Sequence, residues 1–116
     1  MFLFEPVVNP HSSPLQRSGI SEKKRFLLLA ETFQALGDPT RVQIVWLLAQ
    51  AEHRVGELAE KLSMSQPAVS HHLRVLRQLR LVQFRKTGRV SFYALDDHHI
   101  ERLLQEGLEH VEELLS

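Results

Sequence analysis

The C-terminal run DDHHIERLLQEGLEHVEELLS constrains this chain more than any other stretch. Read as a helix, its Ile100, Leu103, Leu104, Leu108, Val111, Leu114 and Leu115 recur at i, i+3, i+4 and i+7, an apolar stripe that has to be covered by something. At about 100° per residue, His99 and His110 point the same way to within roughly 20°. Glu113 shares their flank, His98 points away toward solvent, and Asp97 stands at the helix start. Two imidazoles and two carboxylates suit a borderline divalent metal. Yet the eleven residues from His99 to His110 rise roughly 16 Å, against metal–nitrogen bonds of about 2 Å, so one helix cannot bring both rings to one ion. Two antiparallel copies can, with Asp97 and His99 of one chain meeting His110 and Glu113 of the other. Two-fold closure makes that site twice, with the apolar stripe as the dimer seam. The alternative reading of the same stretch is a solvated acidic helix face.

A chain of 116 residues suits a single domain. The lack of cysteine excludes a disulfide framework, a thiolate metal site and a thiol switch. No apolar run approaches the roughly 18 residues of a membrane span, and the start MFLFEPVV lacks a basic flank for a secretory signal. A cytoplasmic protein with no membrane partner is the expectation. The formal net charge of zero hides a segregation. Lys61, Arg74, Arg77, Arg80, Arg85, Lys86 and Arg89 share a span with no acid, whereas after Asp96 the acids have only Arg102 for company. A basic middle against an acidic tail points to a polyanion-binding surface and a separate functional end.

Residues 1–20 carry Pro6, Pro10, Pro14 and Gly19 without sustained periodicity and read as a mobile arm, with His11 an exposed side chain. Residues 21–116 read as one domain. A helix is expected from Ser21, its cap, to Leu36, with Phe26, Leu29, Ala30 and Phe33 on one face. Gly37 suits a left-handed helix stop, Asp38 an N-cap and Pro39 the first turn of the next helix. That helix, to about Ala51, is dense in Val42, Ile44, Val45, Trp46, Leu47 and Leu48 and reads as mostly core, Trp46 included.

Val55–Leu62 forms a short helix with Leu58, Ala59 and Leu62 inward. Ser63, Met64 and Ser65 link it to a second helix from Gln66 to about Leu79. There Val69, Leu73 and Leu76 face inward with His72 alongside, and Gln66, Ser70, His71, Arg74 and Arg77 face outward. Two helices joined by a tight turn, the second showing short polar groups at its start and arginines beyond, fit a helix-turn-helix. Gln and Ser can bond base edges in the major groove, while arginines and the helix start hold phosphates. Val82 and Phe84, then Val90, Phe92 and Ala94, alternate with polar residues around Gly88, a hairpin whose tip holds Arg85, Lys86 and Arg89. A basic hairpin behind a helix-turn-helix is a wing, and Arg85, Lys86 and Arg89 are expected to meet the phosphate backbone beside the major groove. The fold class is therefore mainly α with a β-hairpin wing, a winged helix-turn-helix acting as a homodimer.

From Phe26 to Glu113 the chain resembles the ArsR/SmtB family of winged-helix repressors, through LGDPTRVQIVWLL, VGELAEKLSMSQPAVSHHLRVLRQLRLV, RKTGRVSFYAL and the tail pattern D-x-H-x10-H-x2-E. In the family's zinc-sensing branch that tail forms paired sites between C-terminal helices. The resemblance implies ligand roles for Asp97, His99, His110 and Glu113, approach to bases by Gln66, Ser70 and His71, and release of DNA on metal binding. Ser65 and Pro67 complete the DNA surface at the helix start, and Pro67 removes an N–H that has no intrahelical partner there. A second site in some members uses a cysteine where this chain has Arg54, so that site is expected to be absent, as is thiolate sensing of arsenic, lead or cadmium.

The expected function is a metal-responsive repressor that binds a double-stranded, inverted-repeat operator when metal-free. Zinc fits a closed set of two imidazoles and two carboxylates, with cobalt or nickel the alternative if further donors join. The second N–H of His99 or His110 is expected to reach a carbonyl near Leu79 to Leu81. A metal-independent winged-helix regulator and an architectural DNA protein are the competing readings. A zinc hydrolase would need an open coordination position and a general base, and no such constellation is present.

Overall fold

The computed structural model describes residues 21–116; the arm expected over 1–20, with His11, lies outside them. Helix α1 spans Glu22–Leu36, opened by the Ser21 hydroxyl, which accepts from the Lys24 N–H at 3.3 Å. Helix α2, Pro39–Gln50, follows after two residues. The Asp38 carboxylate accepts from the Arg41 N–H at 3.0 Å, and Pro39 occupies the first turn, where its missing N–H costs nothing. Gly37 does not take the expected left-handed conformation. Its φ of −77° is right-handed, because the chain runs straight into the Asp38 cap. A Cβ there would come within 3.3 Å of the Gln34 carbonyl, a tight approach.

A two-residue strand β1, His53–Arg54, leads into α3, Val55–Leu62. Ser63 takes a left-handed φ of 54° and turns the chain, and the Met64 N–H returns to the Ala59 carbonyl at 2.9 Å. Helix α4, Gln66–Gln78, is capped by Ser65, whose hydroxyl accepts from the Ala68 N–H. Strands β2, Val82–Thr87, and β3, Val90–Leu95, form the hairpin, turned at Gly88 with a φ of +65°. Helix α5, His98–Leu115, ends the chain.

The sheet order is β1-β3-β2, antiparallel throughout. Strand β1 is not legible in the sequence, since two residues carry no period. It pairs His53 with Tyr93 and Arg54 with Phe92, anchoring the wing to the body. His53 is buried with both ring nitrogens engaged: Nδ1 lies 2.7 Å from the Ala51 carbonyl and Nε2 2.8 Å from Lys61 Nζ. Because the ammonium can only donate, Nε2 accepts and Nδ1 carries the proton.

The core gathers Ile44, Val45 and Leu48 of α2, Leu58 and Ala59 of α3, and Val69, Leu73 and Leu76 of α4 under Leu81 and Val82. The α4 trio sits at i, i+4 and i+7 as its apolar pattern requires. Trp46 departs from expectation: it is 48% exposed, on the side of α2 that meets α5 beside Leu104 and Leu108. Helix α2 can bury only the stripe through Ile44, Val45 and Leu48, and Trp46 falls off that stripe.

Candidate nucleic-acid interface and metal half-sites

The helix-turn-helix is α3 and α4, fixed by the left-handed Ser63 and the Ser65 cap. With Val69, Leu73 and Leu76 buried, geometry turns Gln66, Pro67, His71, Arg74 and Arg77 outward, with Ser65 exposed at the start and Ser70 half-buried. Gln66 lies close over α3, where a Cβ on Gly56 would stand 3.4 Å from its Nε2. These side chains and the helix start form one continuous polar and basic face.

The hairpin register divides the wing's side chains between two faces. Phe84 pairs with Tyr93, and Arg85 with Phe92, so the two pairs project to opposite sides. Phe84 faces α4, where the Arg77 guanidinium stacks over its ring at 4.1 Å. Lys86, two residues on, shares that side. Arg85 is on the other, bonded in a two-pronged pair to Glu52 through Nε at 3.2 Å and Nη2 at 2.7 Å. Its Nη1 donates to Thr87 Oγ1 at 2.8 Å, and its Cζ lies 5.0 Å from the centroid of the Phe92 ring. The Arg85 hydrogen bond holds the Glu52 carboxyl below its ordinary range. Of the three cations expected at the tip, Lys86 and Arg89 have no ion-pair partner among the described residues. Glu52 was missed, because a loop acid 33 residues from Arg85 leaves no local signature in sequence.

On α5, Asp97 caps the helix, accepting from the His99 N–H at 2.9 Å, and its Oδ2 lies 3.3 Å from His99 Nδ1. Partial desolvation works against this carboxylate, but the bonds from the His99 ring and amide outweigh it and hold its pKa below the ordinary value. His98 is exposed, its ring 4.9 Å from that of His99. His99 lines a shallow depression along α5 with Arg102, Glu106 and Glu109, whereas His110 lines an apolar groove. Glu113 is exposed. No three His, Asp or Glu residues converge on a metal position among the described residues. A single protomer thus holds the four candidate donors as two separate halves, Asp97 with His99 and His110 with Glu113. Neither imidazole bonds a carbonyl at residues 79–81 in the protomer; there the Leu81 carbonyl accepts from the Asp96 N–H at 3.0 Å.

The groove, about 500 Å³, runs between Phe33 and Leu36 of α1, Val42 and Val45 of α2, and Leu103 and Gly107 of α5. No residue of α5 is buried, and Phe26, Leu29 and Phe33 of α1 are each about half exposed. No helix of the described residues is long and apolar enough to cross a membrane.

Residues 38–83, which hold this helix-turn-helix, match the family described as bacterial regulatory protein, arsR family. The HTH-type transcriptional regulator NmtR of Mycobacterium tuberculosis is 41% identical over 106 residues, 91% of this chain and 83% of that protein. The chain belongs to the ArsR family. A transcriptional repressor SmtB homolog of Synechocystis sp. is 44% identical over 85 residues, 73% of this chain, and the match spans only 64% of that relative's length. Among solved structures, the homodimeric winged helix-turn-helix DNA-binding domain Mb0332 of Mycobacterium bovis superposes with a TM-score of 0.74 at 30% identity, covering 85% of this chain and 94% of that one. Within the family the fold is a winged helix-turn-helix.

Proposed function

We propose that this ArsR-family chain is a cytoplasmic, homodimeric transcriptional repressor that binds a double-stranded operator and lets go of it when a divalent metal binds. It is not an enzyme in this reading. The observation that carries the reading is the state of α5: its apolar stripe is open, and its donor residues stand in two halves that a second copy would complete. In the DNA-bound state Gln66, Ser70 and His71 read bases from the major groove, with Ser65, Pro67 and the α4 start against the backbone. Arg74 and the wing supply positive charge.

The metal ligands would be Asp97 and His99 of one copy with His110 and Glu113 of the other, a donor set suited to zinc. Cobalt or nickel would call for donors beyond these four. The bound ion would cross-link the two α5 helices. The chain itself links that end to the reading helix: Asp97 follows Asp96, whose N–H is bonded to the Leu81 carbonyl, and the Leu81 N–H is bonded to Leu76 of α4 at 2.9 Å. A shift of the α5 start is therefore passed to the exit of α4 through Asp96 and Leu81. The coupling is reciprocal, so DNA must weaken metal binding by the same factor as metal weakens DNA binding.

The test is fluorescence anisotropy of the protein on duplex DNA from immediately upstream of its own gene, titrated with zinc, cobalt and nickel, beside equilibrium dialysis for stoichiometry. Zinc at one ion per protomer, with loss of the complex, is expected. His110→Gln should bind DNA as the wild type does and ignore zinc; DNA release from that variant would remove His110 from the site. An unreleased complex at saturating zinc would reverse the direction of control.

A further inference from the structure

The wing carries three cations at its tip, and they are not equivalent. Each of the three Arg85 guanidinium nitrogens donates one bond inside the protomer, Nε and Nη2 to the two Glu52 oxygens and Nη1 to Thr87, and the half-exposed guanidinium lies beside the Phe92 ring. The register turns it to the side of the hairpin away from Phe84 and α4, whereas Lys86 shares the α4 side with Phe84. Glu52 itself sits on the short link between α2 and β1, so its hold on Arg85 ties the outer half of the wing to the body. On the opposite face Arg77 of α4 does the same by stacking on Phe84. The hairpin is braced from both sides, once to the recognition helix and once to the loop ahead of β1.

We infer that Glu52 is a positioning residue for DNA binding: through Arg85 it sets the angle of the wing, so that Lys86 and Arg89 meet the phosphate backbone and Arg85 does not. This rests on the DNA-binding reading above. A phosphate contact releases counterions, and each one adds about 0.9 to the slope of log affinity against log salt. A brace adds nothing to that slope, although its loss weakens binding at every salt concentration. The planar fork of Arg85 also matters, because a lysine supplies charge but cannot span both Glu52 oxygens.

The experiment measures the salt dependence of anisotropy for the full chain on a fluorescein-labelled duplex from upstream of its own gene. Glu52→Gln, Arg85→Gln and Arg85→Lys should each weaken binding by about twofold to fivefold, the scale of one exposed ion pair, with the slope unchanged. Lys86→Gln and Arg89→Gln should each lower the slope by about 0.9. Amide exchange of β2 and β3 in the DNA-free protein should quicken in Glu52→Gln and in both Arg85 variants. A lowered slope in Arg85→Gln, wild-type affinity in Arg85→Lys, or tighter binding by Glu52→Gln would each overturn the inference by making Arg85 a phosphate ligand. Unchanged exchange in Glu52→Gln would overturn it by removing the brace. A wild-type chain that binds no duplex would sink the DNA reading instead, and the exchange comparison would still decide whether Glu52 holds the wing.

Discussion

Phe33→Ala is the sharpest probe of the proposed pairing of two copies. Phe33 lines the groove between α1 and α5, lies outside the buried core and is 51% exposed in the protomer. Full burial of a Phe side chain contributes roughly 1.5–3 kcal/mol, so the exposed half leaves about 0.8–1.5 kcal/mol for the partner to gain. A two-fold interface uses the residue twice, which makes the loss roughly 1.5–3 kcal/mol, on the order of a tenfold to hundredfold weaker dimer. Sedimentation equilibrium over a range of concentrations reads this directly, with far-UV circular dichroism unchanged as the sign that the protomer still folds. Because each proposed metal site draws on both copies, zinc affinity must fall in the variant at low protein concentration and recover at high concentration. An unchanged dimer constant would show that the groove is not the seam. Zinc bound tightly by the monomer would refute the division of the donors between copies.

Two further predictions concern the start of α2. Asp38→Ala removes the carboxylate that caps the Arg41 N–H and should cost about 1 kcal/mol, seen as a Tm roughly 4–8 °C lower. The Asp38 pKa is lowered from 3.8 chiefly by that same backbone bond, so the stabilisation is present above the ordinary value and is lost as pH falls through the depressed one. Urea unfolding of the wild type and Asp38→Asn at neutral pH and below pH 3.8 should converge in acid, since the amide cap does not titrate; a constant gap between them would contradict the assignment.

Much of the fold was legible because its elements satisfy local rules one at a time. Ser21 and Asp38 cap helices as their side chains dictate, and Val69, Leu73 and Leu76 define the face of α4 that must be buried. Gly88 marks the hairpin turn. What escaped depends on partners distant in the chain. His53 is read only once Tyr93 and Lys61 stand beside it, and Trp46 lies off a stripe whose direction is set by packing against α3 and α4. Gly37 suits a left-handed stop by composition, yet the chain keeps it right-handed because the Asp38 cap follows at once. The same limit applies to the candidate interface. Composition marked Arg85, Lys86 and Arg89 as one basic tip, and only the register against β3, with Glu52 at hand, separates Arg85 from the other two. For the C-terminal helix, the spacing of His99 and His110 sets them about three turns apart on one helix, and no three donors converge among the described residues.

Among the described residues, the strand order β1-β3-β2 leaves β2 with one long unpaired side. Such a margin is a template on which another chain can add a strand and begin to aggregate. Here it carries Gln83, Arg85 and Lys86, and like charges repel a second wing that approaches edge to edge. Neutralising this margin to tune DNA affinity would therefore carry a second cost, in the concentration at which the protein stays dispersed.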